Sequence, residues 1–343
     1  MSETEGVVWE EYHDRSAGLM IFGLVQMGLG VLAVLVCAFI AMGAIMSRNF
    51  AASGPTQGMP NFDQLLPTFI LGAVVLVAVA ALLVTLGAGS ILARRWARVL
   101  SLAFWTTGLA YGVVALIMQI FLAPAFQTMM ETSMKTGVPG GAGPSASAPP
   151  PEMASFMAIF MVVFSAVLFV GLPLPFVLFY RSKHVKATCE WRDSEASWTD
   201  NRPVPVLVAS LLMLAMSLVG LQQSMSGSFY LGMTLKGMSG AVGAIIVAGV
   251  FLAAAIGLVL KRPWGWWTAL IAMAIETTVW YYAAATGQTD VFNMKAFMGT
   301  NAGMLAAAPG FMARSMWSMA TSYLILTGYL VWLRRYFRGD SAA

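Results

Sequence analysis

Residues 70–100 read ILGAVVLVAVAALLVTLGAGSILARRWARVL. The run before ARRWAR carries no charge and, at about 1.5 Å per residue, is long enough as a helix to cross a hydrocarbon layer of about 30 Å. Three arginines then follow within five residues, and a new apolar run opens behind them. A lipid-length helix stopped by a basic turn and followed by another is how a polytopic membrane protein is written. The rest of the chain repeats the pattern.

Composition agrees. Hydrophobic residues make up 59% of the 343 and charged residues 10%, against roughly 25% charged in an average soluble domain; the mean hydropathy is +0.77. The net charge of +4 is no nucleic-acid footprint, because the basic residues sit in short clusters at the ends of apolar runs, where a membrane protein needs them. Partners are therefore the lipid bilayer and other membrane subunits, with no nucleic acid. Cys37 lies in an apolar run and Cys189 in a charged loop, depths that a disulfide does not join. The acidic start MSETEGVVWEEYHDR lacks the positive region of a cleavable signal, so the run behind it reads as a retained first span.

Eight segments qualify as spans: 17–45, 66–92, 99–123, 154–180, 204–221, 240–260, 264–286 and 313–333. The fold class is thus an all-α integral membrane protein of about eight transmembrane helices. Lys and Arg set the orientation. Arg48, Lys135, Lys236, Lys295 and Arg314 fall on one side; the other 14 of the 19 basic residues fall on the side that holds both termini. The positive-inside rule then puts the termini in the cytoplasm of a plasma membrane. Between the third and fourth segments, TGVPGGAGPSASAPPPEM is too poor in apolar bulk to fold, giving a flexible outer loop over about 136–153. FQTMMETSMK just before it fits a short interfacial amphipathic helix. The inward stretch RSKHVKATCEWRDSEASWTDNRPVP is dense in both charge signs and reads as a solvated linker, with a docking surface as the alternative; its basic start favours anionic headgroups.

The opening stretch has an echo. GSILARRWARVL from Gly89 aligns with GLVLKRPWGWWT from Gly257, matching Gly89, Leu92, Arg94 and Trp96 to Gly257, Leu260, Arg262 and Trp264 at a constant offset. Upstream, Ala81, Thr85 and Gly89 at four-residue spacing match Gly249, Ala253 and Gly257, small-residue stripes that suit close helix packing. YHDR against WTDNR, and FVLFYRS against YLVWLRR, extend the register. Two parallel four-helix repeats follow, 1–192 with its cytoplasmic tail and 193–343.

Few side chains within the spans carry chemistry. Glu276, in TALIAMAIETTVWYYAAATG, falls near mid-membrane, where an ionisable group costs about 2.5 to 3.5 kcal/mol unless it faces the bundle interior or a wet cavity. It reads either as a proton or cation site with Thr277 and Thr278 beside it, or as a structural acid hydrogen-bonded to a neighbouring helix. The aligned residue in the first repeat is Gly108. Gln26 and Gln119 suit interhelical hydrogen bonds and are candidate partners for Glu276. Gly108 and Gly112 form a GxxxG packing pair, and Pro173 and Pro175 kink the fourth span. Trp280, Tyr281 and Tyr282 fit an outer aromatic belt, and Trp264, Trp266 and Trp267 an inner one.

Other classes find little support. The 25 methionines form no tight array with His or Cys, so they read as gap fillers rather than soft copper ligands. His13 and His184 both fall at the cytoplasmic face, which excludes haem held between intramembrane histidines. Phosphate-cradling, HExxH and GxSxG motifs are missing, and one acid is too few for general acid–base work. No cofactor and no metal are expected. The expectation is a non-enzymatic scaffold or accessory subunit of a membrane complex; the alternative is a carrier of a small solute or ion that uses Glu276.

Overall fold

The structure is a computed structural model that describes residues 14–53, 62–136, 151–225, 228–230, 234–286 and 309–337. Apart from one small hairpin and short turns, the described residues are helical. In chain order the helices are α1 (Ser16–Ser53), α2 (Phe62–Ile91), α3 (Arg95–Thr136), α4 (Pro151–Ala166), α5 (Pro173–Arg181), α6 (Lys183–Arg192), α7 (Val204–Met225), α8 (Gly237–Val259), α9 (Pro263–Thr286) and α10 (Pro309–Leu333). Strands β1 (Ser228–Tyr230) and β2 (Thr234–Lys236) pair antiparallel before α8.

Among the described residues, seven stretches are long and apolar enough to cross a bilayer: Ser16–Gly43, Phe69–Ile91, Arg95–Phe121, Ile159–Arg181, Val204–Gln222, Met238–Val259 and Arg314–Tyr336. The chain is a multi-pass helical membrane protein. Helix α9 is 24 residues long, but Glu276 and its tryptophans and tyrosines dilute its apolarity, and it is not among the seven. Large apolar side chains such as Phe39, Phe121 and Phe156 stand exposed on the outside, where lipid rather than water is their solvent.

Each helix pair closes by its own chemistry. In α1 and α2 two glycines face each other: a Cβ on Gly23 would lie 2.7 Å from the Gly87 carbonyl oxygen, and one on Gly87 2.6 Å from the Gly23 oxygen. Gly30 approaches the Ala80 carbonyl in the same way. In α7 and α8 serines replace the glycines, with Ser210 Oγ donating to the Ala255 carbonyl (2.9 Å) and Ser217 Oγ to that of Ala248 (2.8 Å). Without a hydrophobic effect between helices in lipid, backbone approach and hydroxyl bonds are the two devices available.

Helices α2 and α8 end alike. After α2, Ala93 N–H bonds the Ser90 carbonyl and Arg94 N–H that of Gly89; after α8, Lys261 N–H bonds Leu258 and Arg262 N–H bonds Gly257. Ala93 and Lys261 both sit at φ 53°. These are Schellman caps, each with a non-glycine residue in the left-handed position. Gly89 and Gly257 lie under the returning helix, where a Cβ would come within 2.6 Å of Ala97 and 2.5 Å of Gly265 respectively.

Several sequence readings change. FQTMMETSMK is no separate interfacial helix: it continues α3, which runs unbroken to Thr136. The outer loop expected over 136–153 is shorter, since α3 holds 136 and α4 begins at Pro151; residues 137–150 lie outside the described residues. The fourth span passes through a π-helical turn, Val167–Gly171, before Pro173 starts α5, because Pro173 has no N–H for the Phe169 carbonyl. The charged stretch after α5 is not a solvated linker. It folds as α6 and buries Val185, Thr188 and Cys189 at helical spacing.

Two cores result. In one, Leu19, Leu83, Trp105, Phe176 and Tyr180 pack with stacked ring pairs, Phe22 on Phe179 and Trp105 on Phe176, each at 4.1 Å. In the other, Val206, Met213, Phe251, Leu258, Trp266, Met273 and Leu330 gather, joined by Val99 and Ala103 of α3. Helix α3 contributes to both.

Candidate functional site

Helix α9 buries Ala269, Ala272, Met273, Thr277 and Ala283. Glu276 is one turn beyond Ala272 and Met273, and so sits on the edge of that inward face, half-buried. Trp280, one turn further, offers its single indole N–H to the Glu276 carboxyl group. Its ring stacks on that of Tyr323 from α10, centroids 6.1 Å apart and planes 12° apart. Helices α9 and α10 thus meet beside this carboxyl group.

The hydroxyls nearby are occupied. Thr277 Oγ1 donates back to the Met273 carbonyl (2.7 Å) and meets Thr327 Oγ1 of α10 at 3.0 Å. Thr278 is exposed and turns its hydroxyl to the Ala274 carbonyl. Ser322 of α10 reaches the Met118 sulfur of α3 at 3.8 Å and the Ser318 carbonyl at 2.9 Å. Gln119, the next residue along α3, is half-buried.

Gln26 lies elsewhere. It is fully buried in the other core, where its Nε2 donates to Ser101 Oγ (3.2 Å) and its Oε1 meets the Tyr180 hydroxyl (2.9 Å). Ser90 Oγ is 2.8 Å from the same hydroxyl. Since Gln26 Oε1 can only accept, the phenolic proton goes to it and Ser90 donates in return. Gln26, Ser90, Ser101 and Tyr180 therefore form one closed network joining α1, α2, α3 and α5. The expectation that Gln26 partners Glu276 fails because Gln26 is buried in this other core and bonded to Ser101 and Tyr180.

The packing residues divide. Gly89, Gly257 and Gly112 are close-approach positions; a Cβ at Gly112 would stand 2.1 Å from the Phe169 carbonyl oxygen. Gly108 and Gly249 have no atom within 4 Å of such a Cβ, Ala81 and Thr85 are exposed, and Ala253 is half-buried. The stripes read at four-residue spacing do not form contacts along their length. Trp266 also leaves the aromatic belt: it is buried and donates its indole N–H to the Leu330 carbonyl at 2.7 Å, while Trp264 and Trp267 stay exposed.

Comparison with known proteins adds no relative. No protein family, curated protein or solved structure matches this chain.

A second polar centre lies at the basic end. Asp193 pairs with Arg94 (3.2 Å), accepts the Arg95 backbone N–H (3.0 Å), and offers its carbonyl to the Arg95 guanidinium, which also bonds the Glu190 carbonyl. Arg98 donates to the Tyr180 carbonyl at 3.4 Å. Arg15 N–H donates to Thr188 Oγ1 (3.2 Å), and Asp14 accepts from the backbone and hydroxyl of Ser16, which holds its carboxyl below the usual range. Burial pushes the Cys189 thiol up to about 11 against the opposing pull of Arg98. The sequence hinted at this clasp only through the helical spacing of Val185 and Cys189; what Asp193 reaches lies about a hundred residues away. Among the described residues no group of three His, Cys, Asp or Glu side chains is placed to hold a metal.

Proposed function

We propose that the chain is a non-enzymatic scaffold or accessory subunit of a membrane complex, crossing a plasma membrane eight times with both termini cytoplasmic. The observation that carries this reading is where the polar groups of the spans direct their hydrogen bonds. Tyr180, Gln26, Ser90 and Ser101 satisfy one another, and Ser210, Ser217, Trp266 and Tyr329 donate to backbone carbonyls of neighbouring helices. Groups committed to holding helices together are not lining a hydrated path. Helix α9 is the eighth span, tolerating Glu276 because the carboxyl is half-buried beside Trp280, whose ring stacks on Tyr323 of α10.

The two halves, 1–192 and 193–343, are read as parallel repeats. Beyond the matching Schellman caps, Gly23 and Gly30 correspond to Ser210 and Ser217 at one offset, while Gly87 and Ala80 correspond to Ala255 and Ala248 at another. The same positions close both helix pairs, by backbone approach in one and by hydroxyl bonds in the other. The orientation rests on the basic residues Arg15, Arg94, Arg95, Arg98, Arg192 and Arg202, whose contacts tie the first residues, the α2–α3 turn and the α6–α7 segment into one end.

The test is reconstitution. Proteoliposomes of the pure chain should conduct no protons, alkali cations or small amines above empty vesicles, and the native-membrane protein should run as a larger assembly of fixed stoichiometry. A saturable flux that Glu276→Gln abolishes would establish the carrier instead, the reading favoured by a carboxyl with no basic partner at its depth. A cysteine placed within 145–151 should react with an impermeant thiol reagent from outside; labelling only after permeabilisation would reverse the orientation.

A further inference from the structure

The halves 1–192 and 193–343 meet through a one-sided contact. Helix α3 of the first packs on α7 and α10 of the second, and its Val99 and Ala103 enter the second core beside Leu207, Val208 and Leu212 of α7. Both helices start at the basic end. Val99 and Val208 are each fifth in their helix, Ala103 and Leu212 each ninth, so these residues share two depths. Units related by a two-fold axis would use such a contact twice, with α9 of the second half covering α1 of the first. Here they do not. Among the described residues α9 packs closely on α8 and α10, and α1 on α2 and α6.

Aligning the halves identifies the unused surfaces. At the offset that matches Gly89 with Gly257, Ala97, Ser101 and Trp105 of α3 correspond to Gly265, Ala269 and Met273 of α9, and all six are buried. That face serves the interior of each half. The other face diverges: Val99 and Ala103 are buried, whereas their counterparts Trp267 and Ile271 are 51% and 55% exposed. Ile275, Thr278 and Tyr282 continue this exposed face along α9. The offset that matches Gly23 with Ser210 sets Val208 and Leu212, both buried, against Ile21 and Val25 of α1, which are 61% and 43% exposed. Depth agrees again, since Trp267 and Ile271 are fifth and ninth in α9, and Ile21 and Val25 sixth and tenth in α1. The side chains differ in size, Trp267 standing for Val99 and Ile271 for Ala103, so what recurs is the face and its depth rather than the interdigitation.

A contact whose two sides lie on different surfaces does not saturate itself; repeated by rotation about the membrane normal, it closes into a ring. Exposed apolar faces in a bilayer are ordinarily served by lipid, and what selects another copy here is that the same two faces already meet inside the chain. We infer that the chain associates head to tail with further copies of itself, the α9 face of one copy (Trp267, Ile271, Ile275) seated on the α1 face of the next (Ile21, Val25), as α3 is seated on α7 within one chain. The inference rests on the reading of the halves as parallel repeats, and it names the first partner of the proposed scaffold.

The experiment is disulfide cross-linking of the full chain in its membrane. Two differently tagged chains are co-expressed, one with Val25→Cys and the other with Ile271→Cys, oxidised with copper phenanthroline and separated by denaturing electrophoresis; the wild-type chain, with Cys37 and Cys189, sets the background. A species of twice the chain mass carrying both tags is expected from the mixture and none from either variant alone, because a head-to-tail contact never sets a face against itself. Ala81→Cys in place of Val25→Cys is the control. Ala81 and its counterpart Gly249 are both exposed, so the contact between halves does not use that face, and no linked species should form with Ile271→Cys. Native mass spectrometry of the wild-type protein released from nanodiscs should show more than one copy. Linkage of either variant to itself, equal yield from the Ala81 control, or a single copy per assembly would each overturn the inference, and the mass decides even if the cysteine variants do not fold. The repeat reading has its own arm: cysteines at the aligned positions Asp14 and Asn201 should label from the same side of the membrane. Labelling from opposite sides removes the repeats and this inference with them, whereas same-side labelling with no linked dimer removes self-association alone.

Discussion

Replacing Gly112 by alanine adds one methyl group at a place where the chain has no room for it. The Cβ would stand 2.1 Å from the Phe169 carbonyl oxygen and 2.8 Å from its carbon, against an ordinary contact near 3.4 Å. The π-helical turn must therefore withdraw by about 1 Å, and overpacking of this kind costs about 1 to 3 kcal/mol. Gly108, one turn back on α3, supplies the control, because a Cβ there meets nothing within 4 Å. In water an alanine in place of a helix glycine would gain up to about 1 kcal/mol. In a bilayer the helix stays hydrogen-bonded even when its neighbours part, so Gly108→Ala should be close to neutral. The two variants should then differ by about 1 to 3 kcal/mol, a factor of roughly 5 to 150 in the unfolding equilibrium. Reversible unfolding in mixed micelles, or steric trapping in bicelles, reads this difference directly. Because the obstacle is a backbone carbonyl, Phe169→Ala should not rescue Gly112→Ala. Equal stability of the two glycine variants, or rescue by trimming Phe169, would refute the reasoning.

Other expectations concern different parts of the molecule. Tyr180→Phe should destabilise by about 1 to 2 kcal/mol, between the mean near 0.6 for a membrane interhelical bond and the penalty for stranding a buried acceptor. Combined with Ser90→Ala it should give less than the sum of the single effects, and a double-mutant cycle showing additivity would dissolve the network. Lys261→Gly should stabilise by about 1 kcal/mol by relieving the left-handed residue of the second cap; a loss of stability in the same unfolding assay would contradict the cap. Cys189, buried and with its thiolate disfavoured, should resist a soluble maleimide at pH 7 and react fully once denatured, with mass spectrometry as the readout. The linkage has a definite sign. The folded thiol titrates above the unfolded one, so stability is constant below about pH 9 and falls as pH rises from there toward 11. Asp193→Ala should open α6 and the following segment to hydrogen exchange and protease, whereas Glu195→Ala, which is exposed, should not.

The fold was legible where a single dimension sufficed. Hydrophobic runs of lipid length, and basic residues at their alternate ends, are one-dimensional patterns because a bilayer is a one-dimensional constraint: depth follows from position along the chain. The helices over 204–225 and 237–259 and the turns after Gly89 and Gly257 were readable in that way. Lateral neighbours were not. Nothing in the letters QMGLG says that Gln26 meets Ser101 and Tyr180 instead of Glu276, or in WGWW that Trp266 turns inward to Leu330 while Trp264 and Trp267 face out. The four-residue spacing of Ala81, Thr85 and Gly89 described a smooth stripe, but the contacts fell on Gly23, Gly30, Ala80 and Gly87, a seam seven residues apart. The charged stretch after α5 misled for a related reason. Its polar composition matched a linker, and only the partners supplied by Arg94 and Arg95 let it pack.

For Glu276 the division is the same. The sequence by itself raised the expectation of one acid near mid-membrane and made its environment a question, because burial cost depends on depth. Only the tertiary structure decided its neighbours, setting the Trp280 and Tyr323 ring pair of α9 and α10 beside the carboxyl and committing Gln26 to the other core. Depth is written along one helix, but a site is made by the angular positions at which three helices pack, and those are fixed by contacts far apart in the chain.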